Sequence, residues 1–172
     1  FLYPVVVLAI STGMRRGEIM GLRWKQVDLA NNCLRLSETK NDTSRSIPLA
    51  GLALTLMVQL SKVRRIDSEL VFYGRDKAQA IDLKRPWETA LRKADIDDFR
   101  FHDLRHTAAS YLAMNGATTV EIAAVLGHKT LQMVKRYSHL ANSHTAGVVA
   151  SMNRKIFEQP EGGMRGAKMI NQ

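Results

Sequence analysis

Leu2, Val5, Val6, Ala9 and Ile10 recur at the three-to-four spacing of a helix buried on one side, and Gly13 supplies its stop. Residues 14–22 read as a second, short helix. Ile19 and Leu22 face a core on it, while Arg15 and Glu18 stand one turn apart. The pattern then shortens. Residues 24–29 read as a strand, Asn31-Asn32 as a turn, and residues 33–39 alternate in part through Leu34 and Leu36. Lys40-Asn41-Asp42 has turn chemistry, and residues 45–49 form another strand with Pro48 near its end. Helical spacing returns at residues 51–66, with Leu52, Leu56, Leu60 and Val63 as the stripe. Residues 70–73 are a short apolar piece, strand or loop. Pro86 suits a first helical turn, followed by Trp87, Ala90, Leu91 and Ala94 on one face. Residues 102–114 make a helix burying Leu104, Ala108, Tyr111 and Leu112, with Gly116 beyond its end. Thr118-x-x-Glu121 is a capping box for a helix through Leu126 that Gly127 stops, and Thr130 is placed to cap a helix carrying Tyr137. Residues 142–157 give a last helix with Val148 or Val149, Met152 and Ile156 on one face. Beyond that, residues 158–172 have no pattern and read as a disordered tail. The predicted fold class is mainly α with a small antiparallel β-sheet inserted early.

Charge narrows the partner. Lys and Arg total 25 against 16 acidic residues in 172, a formal charge of +9, which favours a polyanion: nucleic acid first, an anionic membrane surface second. No apolar run is long enough to span a bilayer; the longest covers residues 4–10. Cys33 is the single cysteine, so no intramolecular disulfide forms and a reducing, cytoplasmic compartment is expected. The chain opens at Phe1 in the middle of an apolar pattern, which leads us to expect a segment cut from a longer protein, with an N-terminal region preceding it.

The polar residues that break these patterns are of a particular kind. His102-x-x-Arg105 sets an imidazole beside a guanidinium on one helical face, a proton carrier next to a planar fork that matches two phosphoryl oxygens. Its plain reading is an exposed His and a surface Arg at a helix start. Thr12-Gly13-Met14-Arg15-Arg16-Gly17-Glu18 places arginines next to glycines, where backbone can approach a ligand closely; the plain reading is a surface ion pair contributing ~0.3–0.5 kcal/mol. Lys40 on a turn can reach and protonate a leaving oxygen, or simply be solvated. Leu126-Gly127-His128 puts a His after a stopped helix, where it can also serve the helix dipole. Tyr137 needs help as a nucleophile because a free phenol has a pKa of about 10; its plain reading is a ring in the core with a wet hydroxyl. The five histidines lack the H-E-x-x-H pattern, so no metal is expected. Residues 118–137 also read as a helix-turn-helix, which would make the chain a DNA binder without chemistry.

Taken in order, Arg15, Lys40, His102-x-x-Arg105, His128 and Tyr137 resemble the tyrosine recombinases, the phage-integrase family, which share their catalytic fold with type IB topoisomerases. The matching text is Thr-Gly-x-Arg at 12–15, Thr39-Lys40 ahead of Pro48, His102-Asp103-Leu104-Arg105-His106-Thr107, Leu126-Gly127-His128 and Arg136-Tyr137-Ser138-His139. The resemblance covers residues 1–157 and implies a catalytic domain without the family's N-terminal core-binding domain. It implies that Tyr137 attacks the scissile phosphate to form a 3′-phosphotyrosyl link. Arg15 and Arg105 would clamp the nonbridging oxygens from a solvent-accessible site, and Lys40 would protonate the departing 5′ oxygen. His102 would exchange a proton with Tyr137, His128 would bond the phosphate, and Glu18 would orient its neighbours. It implies no cofactor, metal or ATP. The implied partners are double-stranded DNA, other protomers in a synaptic tetramer, and accessory DNA-bending proteins, in a bacterial or phage-infected cell. The segment 142–157 would pack on its own domain or on a neighbouring protomer. A non-catalytic DNA-binding relative and a topoisomerase-like nicking-closing enzyme are the alternatives.

Overall fold

The computed structural model describes residues 1–36, 44–128 and 130–157; the Lys40 turn and the 158–172 tail lie outside them. Among the described residues seven α-helices and three short strands follow in order: α1 (Leu2–Thr12), α2 (Arg16–Met20), β1 (Val27–Asp28), β2 (Cys33–Leu36), β3 (Arg45–Pro48), α3 (Gly51–Lys62), α4 (Lys84–Lys93), α5 (Asp103–Met114), α6 (Thr119–Leu126) and α7 (Asn142–Phe157). The mainly helical class with one early antiparallel sheet is what forms. The sheet has the order β1-β2-β3, with Leu34 opposite Val27 on one side and Ile47 on the other.

Two apolar cores divide the work. The first gathers Val5, Leu8 and Ala9 of α1, Ile19, Leu22, the inward sheet residues Leu34, Leu36 and Ile47, Ala53 and Met57 of α3, and Val71 and Phe72. The second joins Ala109 and Ala113 of α5 to Ile122, Ala123 and Leu126 of α6, with Val134 and the ring of Tyr137. α5 serves both, because Leu104 points into the first and Ala109 and Ala113 into the second. The seam between the cores is closed by Gly13, which ends α1 with φ 63°. A Cβ there would lie 2.3 Å from Leu126 Cδ2, so only glycine allows α1 and α6 to meet this closely.

Several expectations are corrected. Residues 24–29 are a single 3₁₀ turn (Trp24–Gln26) followed by the two-residue β1. The buried face of α3 is Ala53 and Met57, one residue on from the expected stripe, and Leu52 and Val63 are exposed. On α5 Tyr111 is exposed, while Arg105 is buried, at 4% exposure, in the face assigned to apolar residues. Arg105 is therefore not the solvent-accessible clamp that was expected. Tyr137 sits in a 3₁₀ segment, Lys135–Ala141, preceded by another at Leu131–Met133, and the Thr130 side chain makes no cap hydrogen bond. Residues 70–73 extend alongside residues 22–24, with Trp24 N–H donating to the Glu69 carbonyl and Val71 N–H to that of Leu22, both at 2.9 Å. The apolar stripe of α7, Val148, Val149, Met152 and Ile156, remains exposed. The Thr118-Glu121 capping box forms as read: Glu121 N–H donates to Thr118 Oγ1, and Thr118 N–H to the Glu121 carboxylate.

Candidate active site

At the seam lies a hollow of about 210 Å³ lined by Arg15, His102, Arg105, His106, His128, Met133, Arg136 and Tyr137. Five of the six expected catalytic residues converge there from four places: the α1–α2 junction, the start of α5, the end of α6 and the 3₁₀ segment. The sixth, Lys40, lies outside the described residues. Glu18 stands directly beneath Arg15.

Arg105 is held from two sides. Its Nη1 donates to the Gly13 carbonyl and its Nη2 to the Leu126 carbonyl, both at 2.6 Å. These carbonyls come from the ends of α1 and α6, where helices leave acceptors unpaired and the dipole favours a cation. Burial, then the charge of Arg15, push its pKa down to about 10, with Glu18 pulling the other way; the guanidinium is still charged at neutral pH.

Arg15 is held nearer the surface, its side chain 41% exposed. Its Nη1 donates to Glu18 Oε1 at 3.0 Å and its Nη2 to the Gly127 carbonyl at 3.4 Å. Glu18 Oε2 accepts the Arg15 backbone N–H at 2.7 Å, which satisfies a free donor at the start of α2. The same oxygen accepts from Arg45 Nη2 at 2.8 Å. One carboxylate therefore orients two guanidiniums.

His128 follows Gly127, whose positive φ of 65° ends α6. Burial, then Arg105, Arg15, Arg136 and Arg45, lower its pKa to about 4, so it is a neutral imidazole at physiological pH. Its buried Nδ1 has no partner among the described residues.

Tyr137 is 7% exposed, its ring in the second core and its hydroxyl hydrogen-bonded to His106 Nδ1 at 2.6 Å. Burial raises the phenol pKa, and the charges of Arg136 and Arg105 oppose that rise. The imidazole meeting the hydroxyl is thus His106, one turn beyond the expected His102. His102 stands edge-on to His106, ring centroids 5.1 Å apart, and lines the same hollow. Burial, then His102 and Arg136, lower the His106 pKa and favour its uncharged form. His106, Arg45 and Arg136 were not singled out from the sequence. His106 had a signal in its one-turn spacing from His102, and Arg136 in its place beside Tyr137; Arg45 looked like any residue at a strand start.

The arrangement sets the guanidiniums of Arg15, Arg105 and Arg136 and the imidazoles of His102, His106 and His128 around one hollow that the Tyr137 phenol also lines. That is a set of donors for a tetrahedral or pentavalent phosphoryl group. Among the described residues no three His, Cys, Asp or Glu side chains group as a metal site would need, and no helix is long and apolar enough to cross a membrane.

Comparison with known proteins gives the class. The family model described as the phage integrase family matches residues 2–144. The chain belongs to that family, and its fold is that of a tyrosine-recombinase catalytic domain. It is 39% identical over 140 residues to the shufflon-specific DNA recombinase of Escherichia coli, an alignment covering 81% of this chain and 35% of that protein. Among solved structures, the catalytic domain of bacteriophage HP1 integrase aligns at TM-score 0.65 and 25% identity, over 94% of this chain and 86% of that one. XerA recombinase aligns at TM-score 0.71 and 24% identity, covering 92% and 58%. The chain thus spans about a third of the length of the Escherichia coli relative.

Proposed function

We propose that this chain carries the strand-cleaving and rejoining centre of a site-specific DNA recombinase. The observation that carries the reading is the convergence of Arg15, His102, Arg105, His128 and Tyr137 on one cationic hollow with the phenol inside it. The scissile phosphodiester enters that hollow, and its nonbridging oxygens accept from Arg15, Arg105 and His128. Negative charge gathers on those oxygens in the pentavalent transition state, where fixed donors lower the barrier most. With His106 Nδ1 unprotonated, the Tyr137 hydroxyl donates to it, and the imidazole takes the proton as Oη bonds to phosphorus. His102, edge-on behind His106, shares in that proton traffic. The bond from phosphorus to the 5′ oxygen breaks, and Lys40 supplies the proton that makes it a hydroxyl. The product is a 3′-phosphotyrosyl link. It conserves the energy of the broken bond, so attack by another strand's 5′-hydroxyl restores the phosphodiester without ATP or metal.

The +9 charge favours double-stranded DNA as the partner, as does the DNA recombinase to which the chain is 39% identical over 140 residues. Recombination of two sites calls for other protomers of the parent protein in a synaptic tetramer, with accessory DNA-bending proteins assisting. The test is a suicide duplex nicked near the cleavage point, which traps the covalent adduct. A protein–DNA band that disappears in Tyr137→Phe is expected. Salt-sensitive DNA binding with no band would make the chain a non-catalytic binder, and relaxation of supercoils without exchange between two sites would make it a nicking-closing enzyme.

A further inference from the structure

We infer that Arg45 is a positioning residue of the anion site, holding Arg15 through Glu18 and the His128 loop through Gly127, without touching the substrate. The inference rests on the phosphate-site reading above and names a residue that reading does not use. Arg45 is the first residue of β3, and its side chain is 14% exposed. It does not line the hollow. A guanidinium this buried carries a desolvation cost, and its Nε has no partner among the described residues. Two contacts define that position, the first of which offsets the cost.

The first is Glu18. That carboxylate is 18% exposed, and it faces Arg15 through one oxygen and Arg45 through the other. A carboxylate left beside Arg15 with a single cation would compete with a phosphoryl group for that cation. Arg45 takes up the second half of its charge, so Arg15 is oriented by Glu18 without being neutralised by it. The second contact is steric. The Arg45 guanidinium lies so close over Gly127 that a Cβ on that residue would fall 1.7 Å from Nη1 and 2.5 Å from Cζ. Gly127 offers its carbonyl to Arg15, Leu126 offers its own to Arg105, and His128 follows directly. One side chain of the sheet therefore presses on the loop that carries the acceptors for both catalytic arginines. Its charge also lies close enough to Arg105 and His128 to lower the pKa of each.

The test uses inorganic phosphate as the probe and the imidazole NMR signals of His106 and His128 as the readout, with a thermal melt of each variant alongside. Arg45→Met should weaken phosphate binding about 10- to 100-fold, the scale on which misplaced groups lose function. Arg45→Lys keeps a cation for Glu18 but has no planar fork to cover Gly127, and should fall between the two. Because Arg45 acts partly through Glu18, adding Arg45→Met to Glu18→Gln should cost less than Arg45→Met costs alone, the remainder being the lost contact over Gly127. If Arg45→Met melts early, the decision passes to Arg45→Lys and to the double variant compared with Glu18→Gln. Phosphate affinity equal to that of the unaltered chain in Arg45→Met, or in Arg45→Lys where that variant decides, overturns the proposal, as do losses that multiply fully in the double variant. An unaltered chain that fails to bind phosphate removes the anion site itself, and the role of Arg45 with it.

Discussion

Arg105 and Arg15 bring the same group to the same hollow and are held in opposite ways. Arg105 is 4% exposed and donates at 2.6 Å to the carbonyls that end α1 and α6, so it fastens two helices from the two cores. The Arg15 side chain is 41% exposed, and its contacts include Glu18 at 3.0 Å and the Gly127 carbonyl at 3.4 Å. The difference separates two jobs that chemistry alone would assign to both. Arg105 is a structural clasp whose charge is also used. Arg15 acts as a field source, and its removal is expected to leave the frame standing.

The largest expected effect follows from the clasp. Arg105→Ala should slow cleavage of the nicked duplex by ~10²–10³. It should also lower stability by roughly 2–5 kcal/mol, since two buried carbonyls lose charged donors. Arg15→Ala should show a similar loss of cleavage and a stability change within ~1 kcal/mol, the range for a partly exposed ion pair. Denaturant melts of the two variants side by side check the contrast. An Arg105→Ala chain as stable as the unaltered one would erase it.

Conservative replacements sharpen the same point with a smaller effect. Lysine carries one compact charge and cannot donate in two fixed directions at once. Arg105→Lys should therefore keep most of the defect of Arg105→Ala, because it cannot bridge Gly13 and Leu126. Arg15→Lys should restore cleavage to within ~10-fold of the unaltered chain, since a point charge still serves a phosphoryl oxygen. Equal rescue at both positions would show that geometry matters no more at one than at the other.

How much of this was legible in the chain follows from what each signal measures. Gly13, Gly127 and the Thr118-Glu121 box were readable because stops and caps are local chemistry, and the structure realises all three. The order of the polar motifs was readable through its resemblance to a known family, and four of the five motifs, carrying five of the six expected residues, meet. The α3 stripe slipped by one because that helix is apolar on more than one side, and spacing cannot choose between Leu52 and Ala53. Burial of Arg105 was hidden because hydropathy counts a guanidinium as solvent-facing; its acceptors lie 92 and 21 residues away. Distance in sequence also hid the pairing of His106 with Tyr137, which spans 31 residues. Arg45 was hidden twice over, since neither Glu18 nor Gly127 is its neighbour in the chain.

The smallest effect is the one that tests Arg15 as a field source most directly. His128 is held well below the ordinary imidazole value, at about 4, by burial first and then by Arg105 and Arg15. Its unfolded form takes up a proton near pH 6.5 while the folded form stays neutral. The unfolded state thus binds more protons between these values, so stability is full above pH 6.5 and falls as pH drops toward 4. His106, lowered for similar reasons, adds to the same slope. Arg15→Ala removes one of the repelling charges without disturbing the clasp. The His128 midpoint, followed by NMR, should then move upward, and the acid-side loss of stability should become shallower. Burial and the other arginines remain, so the midpoint should stay below its ordinary value. A midpoint unmoved by Arg15→Ala would mean that its charge does not reach the imidazole, and the division between clasp and field source would fail at Arg15.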